Sequence, residues 1–321
     1  MKKVILLATG GTIAGTGEAG KSTGYDSGTL TAEDLLSAVP QLAQVADVEA
    51  VQVCNVNSDD MTDRLWLKLL RTIHVYAADP NVAGFVVTHG TDTLEETAYF
   101  LNLTVKIEKP VVLTGSMRPA TAISPDGPMN LYQAVCVAAS PKAVGKGVLA
   151  VFADQIYDAR TVAKRSTYHV MAIGSGELGA LGVLRDDKVF FYQTLLKPHT
   201  VHTEFSVENR KDLPRVSIAY FAVDADPRIL TDLAKYADGL VIAGAGAGEF
   251  SERFKEVIET LSLPVVVSSR IDDGILTQEG MLCSNTVAAD HLSPQKAAVL
   301  LRLALTKTTD TTELVRIFQT Y

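Results

Sequence analysis

Two threonines stand where a hydroxyl could act as a nucleophile. Thr12 follows the apolar run Val4–Ala8 and the pair Gly10-Gly11. Thr91 follows the apolar run Val82–Thr88 and His89-Gly90, with Asp92 beside it. Each run is short, apolar on both faces and closed by a turn signal, which predicts a buried parallel strand. In an open α/β sheet ligands bind at the carboxyl ends of the strands, so two loops leaving strands of one direction can meet at one edge. A threonine hydroxyl is a weak nucleophile and needs a base. A lysine within reach, oriented by Asp92, would serve, and His89 is the rival base. The plainer alternative is that Gly10-Gly11 only turns the chain, Thr12 caps a neighbouring element and His89 is structural.

Two other patterns suggest different chemistry. Gly15-Thr16-Gly17-Glu18-Ala19-Gly20-Lys21-Ser22 matches the phosphate-binding loop letter for letter. Val148 to Asp154 would be the companion strand ending in an acid. Such a loop must start at a strand end and run into a helix whose N–H groups hold phosphate. Here the predicted strand stops near Thr9, and Gly24 and Gly28 follow Ser22 without helical period. A nucleotide-binding or NTPase module using this stretch therefore ranks as the alternative reading. Gly244-Ala245-Gly246-Ala247-Gly248 sits between a predicted strand and helix, as a dinucleotide loop would. Glu249 replaces the last glycine, and its carboxylate would repel a pyrophosphate. The next strand ends Ser268-Ser269-Arg270 rather than in an acid, so a turn packing helix on strand is the simpler reading.

The elements that must carry these loops alternate. Strands are predicted at Val4–Ala8, Val48–Val56, Val82–Thr88, Pro110–Leu113 and Gly147–Phe152, with a hairpin at Val183–Tyr192 around Arg185-Asp186-Asp187. Helical spacing fills Met61–Ala78, Leu94–Leu103 and about Met129–Ala139. Thr16–Thr29 is rich in glycine, has no period and reads as a mobile loop. Thr194–Pro214 carries prolines, histidines and mixed charge, and reads as a linker. Beyond it the alternation resumes, with strands at Val216–Phe221, Gly239–Ala243 and Pro264–Ser268. This pattern predicts two α/β domains with mostly parallel sheets: residues 1–193, a linker 194–214, and a smaller domain 215–321. The chain has 321 residues, 47% of them hydrophobic, and a net charge of −8. That balance argues against nucleic acid as the main partner, and no apolar run is long enough to cross a bilayer. Cys54, Cys136 and Cys283 lie far apart with no metal spacing and read as small core residues. The start Met1-Lys2-Lys3-VILLA mimics a signal peptide but its apolar part is too short. The expected location is cytoplasmic as written, or periplasmic or secreted if a leader was removed.

Several stretches together resemble the asparaginase–glutaminase family, in its bacterial L-asparaginase form. They are Ala8–Gly15, Val87–Glu96, Thr114–Pro119, Asp126–Leu131, Ala159–Lys164 and the ending Ile317–Tyr321. The linker and the ending look most like the type II branch. The resemblance implies a larger flavodoxin-like or Rossmann-like N-terminal domain and hydrolysis of L-asparagine to L-aspartate and ammonia, with some L-glutaminase activity. It implies no metal and no cofactor. Carried over by position, Thr12 is the nucleophile and Tyr25, on a lid loop, bonds to it. Thr91, Lys164 and Asp92 form a second triad. Gly11, Ser58, Asp59 and Ser116 line the substrate site, Ser58 toward the α-carboxylate, and Asp59 with Asp92 toward the α-amino group. The resemblance also implies a homotetramer built as a dimer of tight dimers, each site shared by two subunits. Ala247, Glu249 and Glu279 are the candidates facing the neighbouring site, because Met281 occupies the position of the family's glutamate. Asp59 departs from the family's glutamine or glutamate. A relative of the family that feeds ammonia to a tRNA-bound substrate, an amidotransferase subunit, is the other alternative, although it would need an extra domain.

Overall fold

The computed structural model describes residues 2–21 and 23–321, and the chain divides into two compact units, 1–209 and 210–321. In the first unit, β1 (Lys3–Gly10), β2 (Asp47–Val56), β3 (Val82–Thr88), β4 (Val111–Thr114) and β5 (Val148–Phe152) are followed by three four-residue strands. These are β6 (Gln155–Asp158), β7 (Gly182–Arg185) and β8 (Lys188–Phe191). They form one sheet in the order β8-β7-β6-β5-β4-β3-β1-β2. The five strands β2-β1-β3-β4-β5 are mutually parallel. The last three are added antiparallel, as a meander. The expected hairpin at 183–192 is the β7–β8 pair, turning at Asp186 with φ 54°.

Helices cover both faces. α1 (Ala32–Ser37), α2 (Leu42–Val45), α3 (Asp63–Ala77), α4 (Leu94–Thr104) and α5 (Gly127–Ala139) supply the two outer layers. Val4, Leu6, Val86, Val112, Leu149 and Val151 point to one face. There they pack with Leu35 and Val39 at α1 and with Leu131, Ala134 and Val135 of α5. Residues of one strand point alternately to opposite faces, so Ile5, Leu7, Phe85 and Val87 turn to the other side. They are as buried as the first set, which explains why these strands read as unbroken apolar runs. α1 starts with a capping box: the Thr31 hydroxyl accepts from Asp34 N while the Asp34 carboxylate accepts from Thr31 N.

The order β2-β1-β3-β4-β5 reverses direction between β1 and β3. In such sheets the carboxyl ends of the two strands at this reversal are the general ligand position. The stretch Thr16–Thr29 is more ordered than a patternless sequence suggests. Thr16 and Gly17 pair with Asp26 and Tyr25 as a short antiparallel ribbon. The ribbon docks on a neighbouring loop: Ala120 N donates to Gly15 O at 3.0 Å and Gly20 N to Thr121 O at 2.8 Å, and Gly17 N donates to Thr121 Oγ1 at 3.0 Å.

The second unit carries β9 (Val216–Tyr220), β10 (Gly239–Gly244), β11 (Val265–Ser269) and β12 (Thr286–Ala288), all parallel and in chain order. Its helices are α6 (Arg228–Ala234), α7 (Glu252–Ile258), α8 (Pro294–Ala304) and α9 (Thr311–Thr320). Leu230 of α6 and Phe254 and Ile258 of α7 pack on Ala219, Leu240, Ile242 and Val265. Part of the 194–214 stretch packs firmly on the first unit: Lys106 Nζ donates to the carbonyls of Thr200 and Thr203, and Phe205 is fully buried. Among the described residues no helix is long and apolar enough to cross a membrane.

Candidate active site

Four neighbouring strand ends deliver four hydroxyls to one edge. β2 leads into Ser58, β1 into Gly11-Thr12, β3 into Thr91-Asp92, and β4 into Ser116. The register sets Ala8 beside Thr88 and Thr88 beside Thr114, so the following loops emerge side by side. Gly10 and Gly11 have φ of 109° and 82°, in the region that favours glycine. A Cβ on Gly11 would lie 2.4 Å from Gly90 Cα and N, and one on Gly90 would lie 2.8 Å from Ser58 Oγ. The loops after β2, β1 and β3 are therefore stacked without space for a side chain between them.

Thr12 Oγ1 and Tyr25 Oη are 2.7 Å apart. The ribbon brings Tyr25 there, and Gly15 and Gly17 leave room for its ring: Cβ atoms at those positions would approach Tyr25 to 3.0 and 2.9 Å. Lys164 Nζ donates to Thr91 Oγ1 at 2.9 Å and to Asp92 Oδ1 at 2.5 Å. Lys164 lies on a two-residue strand, Ala163–Lys164, paired antiparallel with Ile173–Gly174. Its side chain is 18% exposed, whereas that of Asp92 is 68% exposed. Thr12 and Thr91 are both buried.

His89, the rival base, is turned away. Its Nδ1–H donates to Gly90 O at 2.8 Å, and its Nε2 accepts from Thr97 Oγ1 at 2.9 Å. The Thr97 oxygen in turn accepts from Trp66 Nε1–H at 2.7 Å. Burial pushes the imidazole from its ordinary 6.5 to about 4, opposed by the Gly90 carbonyl. Both ring nitrogens are committed to the protein interior, so the ring is a neutral structural group.

The predicted substrate positions are placed as follows. Ser58 is buried at the start of a 3-10 turn, Ser58–Asp60, whose first carbonyl accepts from Thr93 Oγ1 at 2.6 Å. Asp59 is exposed on that turn. Ser116 is buried and donates to Arg118 O at 2.8 Å. Ala247, Glu249 and Glu279 belong to the second unit and are exposed. The Gly244–Gly248 turn folds on itself, with Ala245 and Glu249 exchanging both main-chain hydrogen bonds at 2.8 and 2.7 Å. The Ala245 and Glu249 N–H groups are thus consumed internally, and the Glu249 carboxylate would still repel a pyrophosphate. Gly248 packs on Leu276, three residues before Glu279.

The phosphate-loop pattern also lacks its context. Thr16–Gly17 is strand, Lys21 pairs with Glu18 at 2.7 Å, and the next helix begins only at Ala32. Ser22 lies outside the described residues. Among the described residues no group of three or more His, Cys, Asp or Glu side chains is placed to hold a metal ion.

Sequence reasoning passed over Glu95. This residue is 5% exposed, and its Oε2 accepts the main-chain N–H of Lys164 at 2.9 Å. The only local signal, an acid in the first helical turn, fits Glu96 equally. Thr93 also departs from its pattern. Thr93-x-x-Glu96 reads as a capping box, yet the Thr93 hydroxyl goes to Ser58 rather than to its own helix.

Comparison with known proteins gives the family. The asparaginase N-terminal domain model matches residues 3–197, and the glutaminase/asparaginase C-terminal domain model matches residues 215–318. The chain is 43% identical to L-asparaginase 2 of Escherichia coli K12, over all of this chain and 94% of that protein. It is 40% identical to the glutaminase-asparaginase of Acinetobacter glutaminasificans, over 99% of each. The crystal structure of a probable cytoplasmic L-asparaginase from Campylobacter jejuni superimposes with a TM-score of 0.96 at 42% identity, covering both chains in full. With both family domains matched in order and its strand-end threonines in their loops, the chain belongs to the asparaginase family.

Proposed function

We propose that this chain hydrolyses the side-chain amide of L-asparagine to L-aspartate and ammonia, with minor action on L-glutamine. The observation that carries the reading is the pair of strand-end hydroxyls, Thr12 held by Tyr25 and Thr91 held by Lys164, on the adjacent strands β1 and β3. Thr12 Oγ1 attacks the amide carbon, and its proton leaves through the Tyr25 contact. The C–N bond breaks, the nitrogen takes a proton and departs as ammonia, and an acyl-enzyme ester remains. Water, oriented by Thr91, Lys164 and Asp92, attacks that ester and returns the proton to Thr12 as aspartate leaves. In this reading main-chain N–H groups near Thr91 stabilise the oxyanion. Ser58 binds the α-carboxylate, and Asp59 with Asp92 holds the α-ammonium group. The reaction as written needs no cofactor.

In this reading residues 1–193 form the catalytic domain, 194–214 the linker and 215–321 a domain that completes the site of a neighbouring subunit. Ala247, Glu249 and Glu279 are the residues offered across that interface, in a homotetramer made of two tight dimers. The test is ammonia release from L-asparagine by the full chain. Thr12→Ala should abolish release, and Lys21→Ala should leave it within about threefold, as for a surface charge outside the site. The reverse pattern would overturn the proposal in favour of a nucleotide site.

A further inference from the structure

Lys164 is gripped at two atoms by three side chains of the five-residue stretch Thr91–Glu95. Its Nζ meets Thr91 Oγ1 at 2.9 Å and Asp92 Oδ1 at 2.5 Å, and its main-chain N–H meets Glu95 Oε2 at 2.9 Å. The first two contacts act on the reactive group. The third acts on the backbone that carries it. An acid that served only the helix dipole would work at the surface, but Glu95 is buried. Removing a carboxylate from water is costly unless its partners are fixed. Among the described residues the two-residue strand bearing Lys164 pairs only with Ile173–Gly174, and so short a ribbon has little rigidity of its own.

We infer that Glu95 is a positioning residue for Lys164, a clamp from the first turn of α4 that ties the Ala163–Lys164 strand to the stretch bearing Thr91 and Asp92. The nucleophile partner, the acid and the clamp then move as one piece, and the ammonium nitrogen stays in register with both oxygens. The inference rests on the amidohydrolase reading for its effect on turnover.

Two substitutions separate geometry from charge. Glu95→Gln keeps an acceptor oxygen at the same reach and loses the charge. Glu95→Asp keeps the charge and withdraws the oxygen by one methylene. The expected result is kcat within about threefold of wild type for Glu95→Gln and a loss of about tenfold or more for Glu95→Asp, because a misplacement of about 1 Å can cost about a hundredfold. KM should change by less than about threefold in both, since the clamp holds no substrate group. The opposite ranking overturns the inference, as does a folded Glu95→Gln variant that has lost about tenfold or more in kcat. Crystal structures of the variants give a readout independent of turnover. Lys164 Nζ should leave hydrogen-bond reach of Thr91 Oγ1 in Glu95→Asp and stay in Glu95→Gln, and an undisplaced Lys164 in Glu95→Asp overturns the clamp. A wild-type chain that releases no ammonia from L-asparagine refutes the amidohydrolase reading instead, and the crystal structures still decide Glu95.

Discussion

Replacing His89 with glutamine gives a quantitative check on how the first unit is built. In the wild type the polarity of the chain Trp66–Thr97–His89–Gly90 is fixed. The Gly90 carbonyl can only accept, and the Thr97 oxygen already receives the Trp66 N–H. Nδ1 must therefore carry the proton and Nε2 must accept. Burial penalises the charged ring and outweighs the support of the Gly90 carbonyl, holding the folded-state pKa at about 4 against an ordinary 6.5. Because the folded value lies below the unfolded one, only the unfolded chain gains a proton between those limits. The contribution of His89 is level above about 6.5, declines as pH falls, and levels again below about 4. At about 1.4 kcal/mol per pH unit, the full loss is about 3 kcal/mol. His89→Gln supplies an amide N–H for Gly90 and an oxygen for Thr97 without titrating. The stability difference between wild type and variant should thus shift by about 3 kcal/mol in favour of the variant from neutral pH to about pH 4. His74 and His199, also lowered by burial, are present in both proteins and cancel. Urea unfolding at fixed protein concentration, followed by the fluorescence of the single tryptophan, Trp66, measures this. A difference constant to within about 1 kcal/mol across the range would refute the buried neutral imidazole. Turnover at neutral pH should stay within about threefold, because neither ring nitrogen faces Thr91, whereas a loss of about a hundredfold would restore His89 as the base.

Two further predictions address the loops. Gly11→Ala places a methyl 2.4 Å from Gly90 at a φ of 82°. It should destabilise the fold by about 1–3 kcal/mol in thermal unfolding and lower kcat/KM about a hundredfold, and an alanine variant with normal turnover would mean the loops have slack. Asp59 is shorter than the family's glutamine or glutamate and should hold the α-ammonium group in one pose. The kcat/KM for L-asparagine should then exceed that for L-glutamine by about tenfold or more, with Asp59→Glu narrowing the ratio. Equal values for the two amides would remove the reason given for the preference.

The strands that carry the site loops were legible because their burial leaves a continuous trace. Val4–Ala8, Val82–Thr88 and Gly239–Ala243 are apolar at every position, or nearly so, as strands covered on both faces must be. The antiparallel extension was harder to see. Gln155–Asp158 has polar ends and pairs by a tight turn through Ala153 and Asp154, at φ of 47° and 67°, where neither glycine nor asparagine announces a hairpin. The strand Ala163–Lys164 is too short to have a period, so Lys164 was found through the family resemblance, as was Tyr25. The two threonine loops and the weakness of both nucleotide motifs followed from the position of glycines relative to strand ends. Glu95 was missed because an acid in the first turn of a helix is so common at the surface that burial alone singles it out.

Among the described residues the ribbon that carries Tyr25 is fastened to residues 120–121 through main-chain groups and the Thr121 hydroxyl. A fastening of that kind reads backbone geometry and is blind to most of the letters written on it. Residues 16–20 can therefore drift among small and polar types while the docked ribbon survives, provided the glycines that make the turns are kept. Sequence space explored so freely will sometimes spell the signature of another function, and here it has spelled one for phosphate.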